Sequence, residues 1–194
     1  MKKVLLFIVM AAFITIVSHP QVSFGLKAGG NLYNFNGDDA GNSEGKIGYN
    51  LGGLVTISFS KYFSIQPEFL YSSINTKRSV GSLDAVTCLS YFDIPLLFLY
   101  KRPDGFYAEA GPQIGFLTGA KVKFNGETEN YKEAYKSTNF SLGLGLGYRF
   151  SYGIALGVRY CYGLSKIPES EPADIKLGGF QLAVSYKLKS ILHK

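Results

Sequence analysis

Glu68, Asp93 and Glu109, each set in an alternating apolar stretch, are the carboxylates best placed for acid/base work or metal binding. Carboxylates gathered at one site can share a proton or a cation. On the same side of the residue alternation stand Lys27, Arg149 and Arg159, with Lys187 further along. Charges of both signs enclosed together are costly unless paired. These residue types therefore favour a salt-bridge network over catalysis, with a polar conduit or binding pocket as the functional alternative. Nucleophilic catalysis lacks a base: His19 lies in the apolar N-terminal segment and His193 in the C-terminal tail, and neither can serve a Ser-His mechanism. No catalytic residue, cofactor or metal site is expected.

Gly143, Gly145 and Gly147 have the look of a phosphate loop, but they lie inside a strand pattern with no helix after it, so the nucleotide reading fails on context. Small residues at a sharp strand bend are expected instead. The acidic groups Asp38, Asp39 and Glu44, then Glu127, Glu129 and Glu133, then Glu169, Glu171 and Asp174 could bridge calcium or a partner. No ligand spacing recurs among them, so they read as solvated loop charge. Cys88 and Cys161 fall by parity on opposite faces of separate strands and are read as isolated thiols rather than a disulfide.

The elements that position these side chains are strands. From Phe140 to Phe150, large apolar residues alternate with Ser141, three glycines and Arg149, and Tyr152 to Tyr162 repeats the pattern. A period of two sends the bulky groups to one face and the small or charged ones to the other. Strands of about ten residues can cross a bilayer at a tilt. Six more runs are expected: Val22 to Phe35, Lys46 to Ser60, Phe63 to Asn75, Val86 to Lys101, Phe106 to Gly119 and Leu177 to Leu188. Pro95 removes a ladder donor, so a bulge or local break is expected there. Thr76 to Ala85 and Ala120 to Ser137 read as polar connections.

Long connections alternate with short turns near residues 61, 103 and 151. That asymmetry, with an even strand number, predicts an all-β fold: an eight-stranded antiparallel up-and-down transmembrane β-barrel whose lumen is only wide enough for side chains. Tyr49, Tyr62, Tyr71, Tyr100, Tyr148, Tyr152, Tyr160 and Tyr162 fall near strand ends on the outer face, where aromatic girdles belong. Twenty-three glycines, 14 tyrosines and 15 phenylalanines suit such a wall. Residues 1–20 carry Lys2 and Lys3 before an apolar run and read as a secretory signal peptide, leaving 21–194 as the barrel. Setting those two lysines aside leaves 18 basic residues against 14 acidic ones, too small an excess to argue for nucleic acid.

With Tyr91-Phe92-Asp93-Ile94-Pro95-Leu96-Leu97, Gly25-Leu26-Lys27-Ala28-Gly29 and Gly111-Pro112-Gln113-Ile114 in view, the chain resembles the PorT-like outer-membrane β-barrel family of Gram-negative bacteria. The resemblance spans essentially the whole expected barrel. It implies the barrel fold, location in the outer membrane and, through the founding member, a link to protein secretion across that membrane. Most members have no assigned activity. The function expected is a non-enzymatic structural, recognition or assembly role through extracellular loops, with lipid as one partner and proteins at the loops or periplasmic turns as others. The alternatives are a porin-like channel for small solutes and a soluble lipocalin-like barrel, apolar inside and polar outside. Oligomeric state is not legible.

Overall fold

The computed structural model describes residues 21–38, 40, 43–80, 83–124, 127–169 and 174–188. The expected signal peptide with His19, together with Asp39, Glu171 and His193, lies outside the described residues. Among the described residues there are nine strands: β1 (Gln21–Asn36), β2 (Ser43–Ser58), β3 (Phe63–Val80), β4 (Leu83–Lys101), β5 (Phe106–Phe124), β6 (Glu127–Asn130), β7 (Thr138–Arg149), β8 (Ile154–Gly163) and β9 (Lys176–Lys187). Their order is β4-β3-β2-β1-β9-β8-β7-β5-β6, and β4 also pairs with β5, so the sheet closes on itself. Every barrel pairing is antiparallel. Eight strands form the wall, and β6 is a short ninth that pairs with the outer end of β5 outside the ring.

Closure satisfies every wall strand on both edges, as a bilayer demands of any spanning sheet. The residue alternation then sorts chemistry by face. Leu26, Leu51, Leu144 and Leu182 project outward and are exposed, whereas Ser23, Lys27, Asn31, Gln66, Glu68 and Gln181 project inward and are buried. A lipocalin-type arrangement is thereby excluded, because the apolar face is outside. No helix among the described residues is long and apolar enough to cross a membrane; the crossings are made by strands.

At the short-turn end, Gly105 and Gly153 adopt φ of 98° and 91°, values that suit glycine in tight turns. Phe59, Phe63, Phe98 and Tyr100 cluster beside these turns, as do Phe106, Tyr148, Phe150 and Tyr152, with ring centroids 4.9 to 6.1 Å apart. Toward the other end, Tyr160 meets Phe180 at 4.9 Å and Tyr49 meets Tyr71 at 6.3 Å. Amphipathic rings in such positions bury their bodies in lipid and keep the hydroxyl at the headgroups.

Three expectations need correction, the first only in part. Of the two outcomes expected at Pro95, the bulge is absent and the local break is present: Pro95 pairs with Gln113 in unbroken register, but the ladders on both sides of it omit neighbouring pairs. The register shifts lie between Lys46 and Tyr49 and between Ser90 and Tyr91. Opposite the latter, Leu117 and Ala120 are both buried with Thr118 exposed between them, so the extra residue is on β5. Second, residues 76–85 are mostly hairpin, with Val80 pairing Leu83. Third, residues 120–137 contain the end of β5, β6 and a 3-10 turn at Lys132–Ala134. Beyond the bilayer both faces of a strand meet water, so the ladder continues after the hydrophobic alternation has stopped.

Candidate functional site: the lumen

Going round the wall, β3 lies opposite β8 and β1 opposite β5. Inward residues of alternate strands share a level in a small barrel. Lys27 on β1, Glu68 on β3, Glu109 on β5 and Arg159 on β8 are four such residues, and they meet in the middle. The Lys27 Nζ donates to both oxygens of Glu68 at 3.1 and 3.0 Å. The Arg159 guanidinium reaches across the lumen with two parallel bonds to Glu68, each 3.0 Å, while its Nε donates to Glu109 at 2.7 Å. Glu68 is fully buried and Arg159 is 2% exposed. Gln66 donates to Glu68 at 2.8 Å and accepts from Thr56 at 2.9 Å, extending the network along the wall. A bidentate arginine and a doubly paired carboxylate give the geometry that a buried ion set requires to offset its desolvation.

Of the six residues expected in a lumen charge network, two stand outside this cluster. Asp93 is buried toward the outer end beside Ser72 and Gln113 and makes none of the ion pairs above. Arg149 lies at the short-turn mouth, 5.9 Å over the Tyr107 ring. Both point inward as their parity requires, but strand tilt sets them at other levels. Tyr107 itself separates the mouth from the cluster and drew no notice in the sequence as a site residue. Its position is made possible by Gly147 and Gly157, where a Cβ would collide with the phenol. Likewise a Cβ on Gly145 would sit 2.8 Å from a Glu109 carboxylate oxygen, and one on Gly143 would sit 3.1 Å from Arg159 Cδ. The glycines of β7 therefore make space for the luminal side chains of β5 and β8.

Outside the charged layer the lumen turns apolar. Tyr33, Ile74, Leu89, Tyr91, Leu117, Ala120, Cys161 and Leu177 pack into one buried cluster, and Ile167 joins them from the connection after β8. Its backbone is held on both sides, with Lys136 N donating to Ile167 O at 2.8 Å and Ile167 N to Ile175 O at 2.9 Å. Cys161 belongs to this cluster, Cys88 is partly exposed, and both are free thiols. Among the described residues no group of three or more His, Cys, Asp or Glu is disposed to hold a metal ion.

A closed barrel, apolar where lipid touches it and charged within, defines an integral membrane barrel of the outer-membrane type. The chain belongs to the outer membrane protein beta-barrel domain family, whose model matches residues 19–169, and it is an outer-membrane protein. The chain is similar to several solved structures. Neisserial surface protein A superposes with a TM-score of 0.52 at 13% identity, covering 86% of this chain and 99% of that one. The attachment invasion locus protein Ail of Yersinia pestis gives 0.48 at 16% identity, with 88% and 99% covered. OprG of Pseudomonas aeruginosa gives 0.42 at 14%, with 88% and 97% covered. No curated protein matches the chain by sequence.

Proposed function

We propose that the protein is a non-enzymatic outer-membrane barrel of the PorT-like group, delivered by a signal peptide at residues 1–20, that works through its extracellular surface rather than through its lumen. The observation carrying this reading is that closure of the lumen coincides with a built outer surface. The connection after β8 bridges to the segment before β7 through Tyr135 and Pro168. Glu169 N donates to Ala134 O at 3.0 Å, and the β3–β4 and β5–β6 hairpins stand up beside them. Loops tied to one another in this way present a pre-ordered face, which lowers the entropic cost of engaging a partner. The charged layer serves as a plug: four side chains from alternate strands fill the cross-section that a solute would have to pass. A role in recognition or assembly follows, and the secretion link implied by the PorT-like resemblance is one form it can take.

Photocrosslinking in intact outer membranes tests this. A photoreactive residue in place of Tyr131 or Lys132, both exposed on the outer side, is expected to give specific protein adducts. The same residue at Lys61 or Ser151 in the periplasmic turns is expected to give none. Adducts from the turns alone would sink the proposal. Swelling of protein-loaded liposomes in small sugars would favour the channel reading instead.

A further inference from the structure

The periplasmic mouth differs from the charged layer above it in having more cations than carboxylates. Lys61, Lys101, Arg102 and Arg149 line a cavity of about 360 Å³ there, together with Tyr107, Gly105 and Ser151. Lys187, the last residue of β9, adds its charge: Lys101, Arg149 and Lys187 repel one another across the opening. Of the two nearby carboxylates, Glu109 is taken by Arg159 at 2.7 Å and Asp104 pairs with Arg102 at 2.8 Å, which leaves Lys61, Lys101 and Arg149 as the cations the cavity offers a ligand. Lys101 Nζ donates to Ser58 Oγ at 3.0 Å, and Arg149 has the Tyr107 ring beneath it. Among the described residues, none of Lys61, Lys101, Arg149 and Lys187 forms an ion pair.

Like charges half-withdrawn from water destabilise one another unless an anion joins them. One guanidinium fork and several ammonium groups converging on a cavity match a ligand with several strong acceptor oxygens. We propose that this mouth is a binding site for a phosphate-bearing anion, either a soluble phosphate compound or the headgroup of an anionic phospholipid of the inner leaflet. The cavity exceeds a single phosphate group and accommodates a diphosphate or a glycerophosphate. A lipid chain has a place beside it: an apolar groove of about 510 Å³ on the outer wall, lined by Tyr100, Phe106, Leu146 and Tyr148 among others, borders the mouth at the rim residue Arg102. The site is independent of the role proposed for the extracellular loops.

The test uses the refolded full-length barrel in uncharged maltoside micelles, titrated calorimetrically with inorganic pyrophosphate at low salt. Saturable binding is expected, weakening as salt rises. The double variant Lys101→Gln/Arg149→Gln should lose affinity by at least about tenfold, whereas Lys46→Gln, on the opposite end of β2, should not change it. If the double variant fails its boiled-versus-unboiled mobility check, Lys61→Gln in the exposed turn replaces it, with a loss of about threefold expected. A second arm measures retention of phosphatidylglycerol against phosphatidylcholine by native mass spectrometry. Phosphatidylglycerol that is retained and displaces pyrophosphate identifies the lipid headgroup as the ligand. Pyrophosphate binding indifferent to phosphatidylglycerol identifies a soluble phosphate. Neither ligand binding, or equal binding by wild type and charge variants, overturns the proposal.

Discussion

In the middle of the barrel Glu68, with no exposure at all, holds Lys27 from one wall and Arg159 from the opposite one; toward the outer end the same lumen holds Leu89, Tyr91, Leu117 and Leu177, all buried. Both levels exclude water and both cross the same eight strands. They differ in how they tolerate change. The apolar level depends on volume, and loss of a methyl group there costs in proportion to the void left. The charged level depends on completeness, since removing one member strands the others in a low-dielectric interior. What this teaches is that closing a narrow barrel needs no single chemistry, only a set of side chains whose requirements are met within one layer.

The comparison can be broken most directly at Glu68. Glu68→Ala leaves Lys27 without a partner and Arg159 with Glu109 alone, and about 3–5 kcal/mol of unfolding stability should be lost, measured by urea titration of the barrel in lipid vesicles. The combined change Lys27→Met/Glu68→Leu/Glu109→Leu/Arg159→Met should cost less than that single one, because no charge is left stranded. If it costs more, the ion set has a worth of its own beyond mutual neutralisation. At the apolar level, Leu89→Ala should lose about 2–4 kcal/mol in the same titration, and a loss below about 1 would mean that the outer cap is loosely packed. Gly145→Ala, whose Cβ would press on Glu109 and on Val158 O, should cost about 1–3 kcal/mol. The smallest effect is expected from Tyr91→Phe. The Tyr91 hydroxyl is buried with no hydrogen-bond partner among the described residues, so its removal should change stability by less than about 1 kcal/mol.

The faces of this wall were legible in the sequence, and the levels were not. A period of two assigns Lys27, Glu68, Asp93, Glu109, Arg149 and Arg159 to one side of their strands, and all six do face inward. Which of them meet depends on tilt and stagger, which no single strand encodes; Asp93 and Arg149 thus separate from the cluster although their parity is the same. The β7 glycines show a second gap of this kind. Glycine reads locally as a bend, and the local pattern does not show that Gly143 and Gly145 also make room for Arg159 of β8 and Glu109 of β5. Strand ends were misread for a third reason: in β3, β4 and β5 the backbone ladder outlasts the apolar alternation that made the strands visible. The signal of Pro95 was legible in part: the ladder breaks beside it, while the pairing on both sides of β4 holds its register without a bulge.

Ionic conductance across a planar lipid bilayer tests the central claim most directly, namely that the lumen is closed at two separate levels. The refolded wild-type barrel should show no stable conductance steps, and neither should Ile167→Ala, since loosening the outer cap leaves the Lys27, Glu68, Glu109 and Arg159 layer in place. Reproducible open steps from the wild-type protein would contradict the account and return the lumen to consideration as a path for solutes.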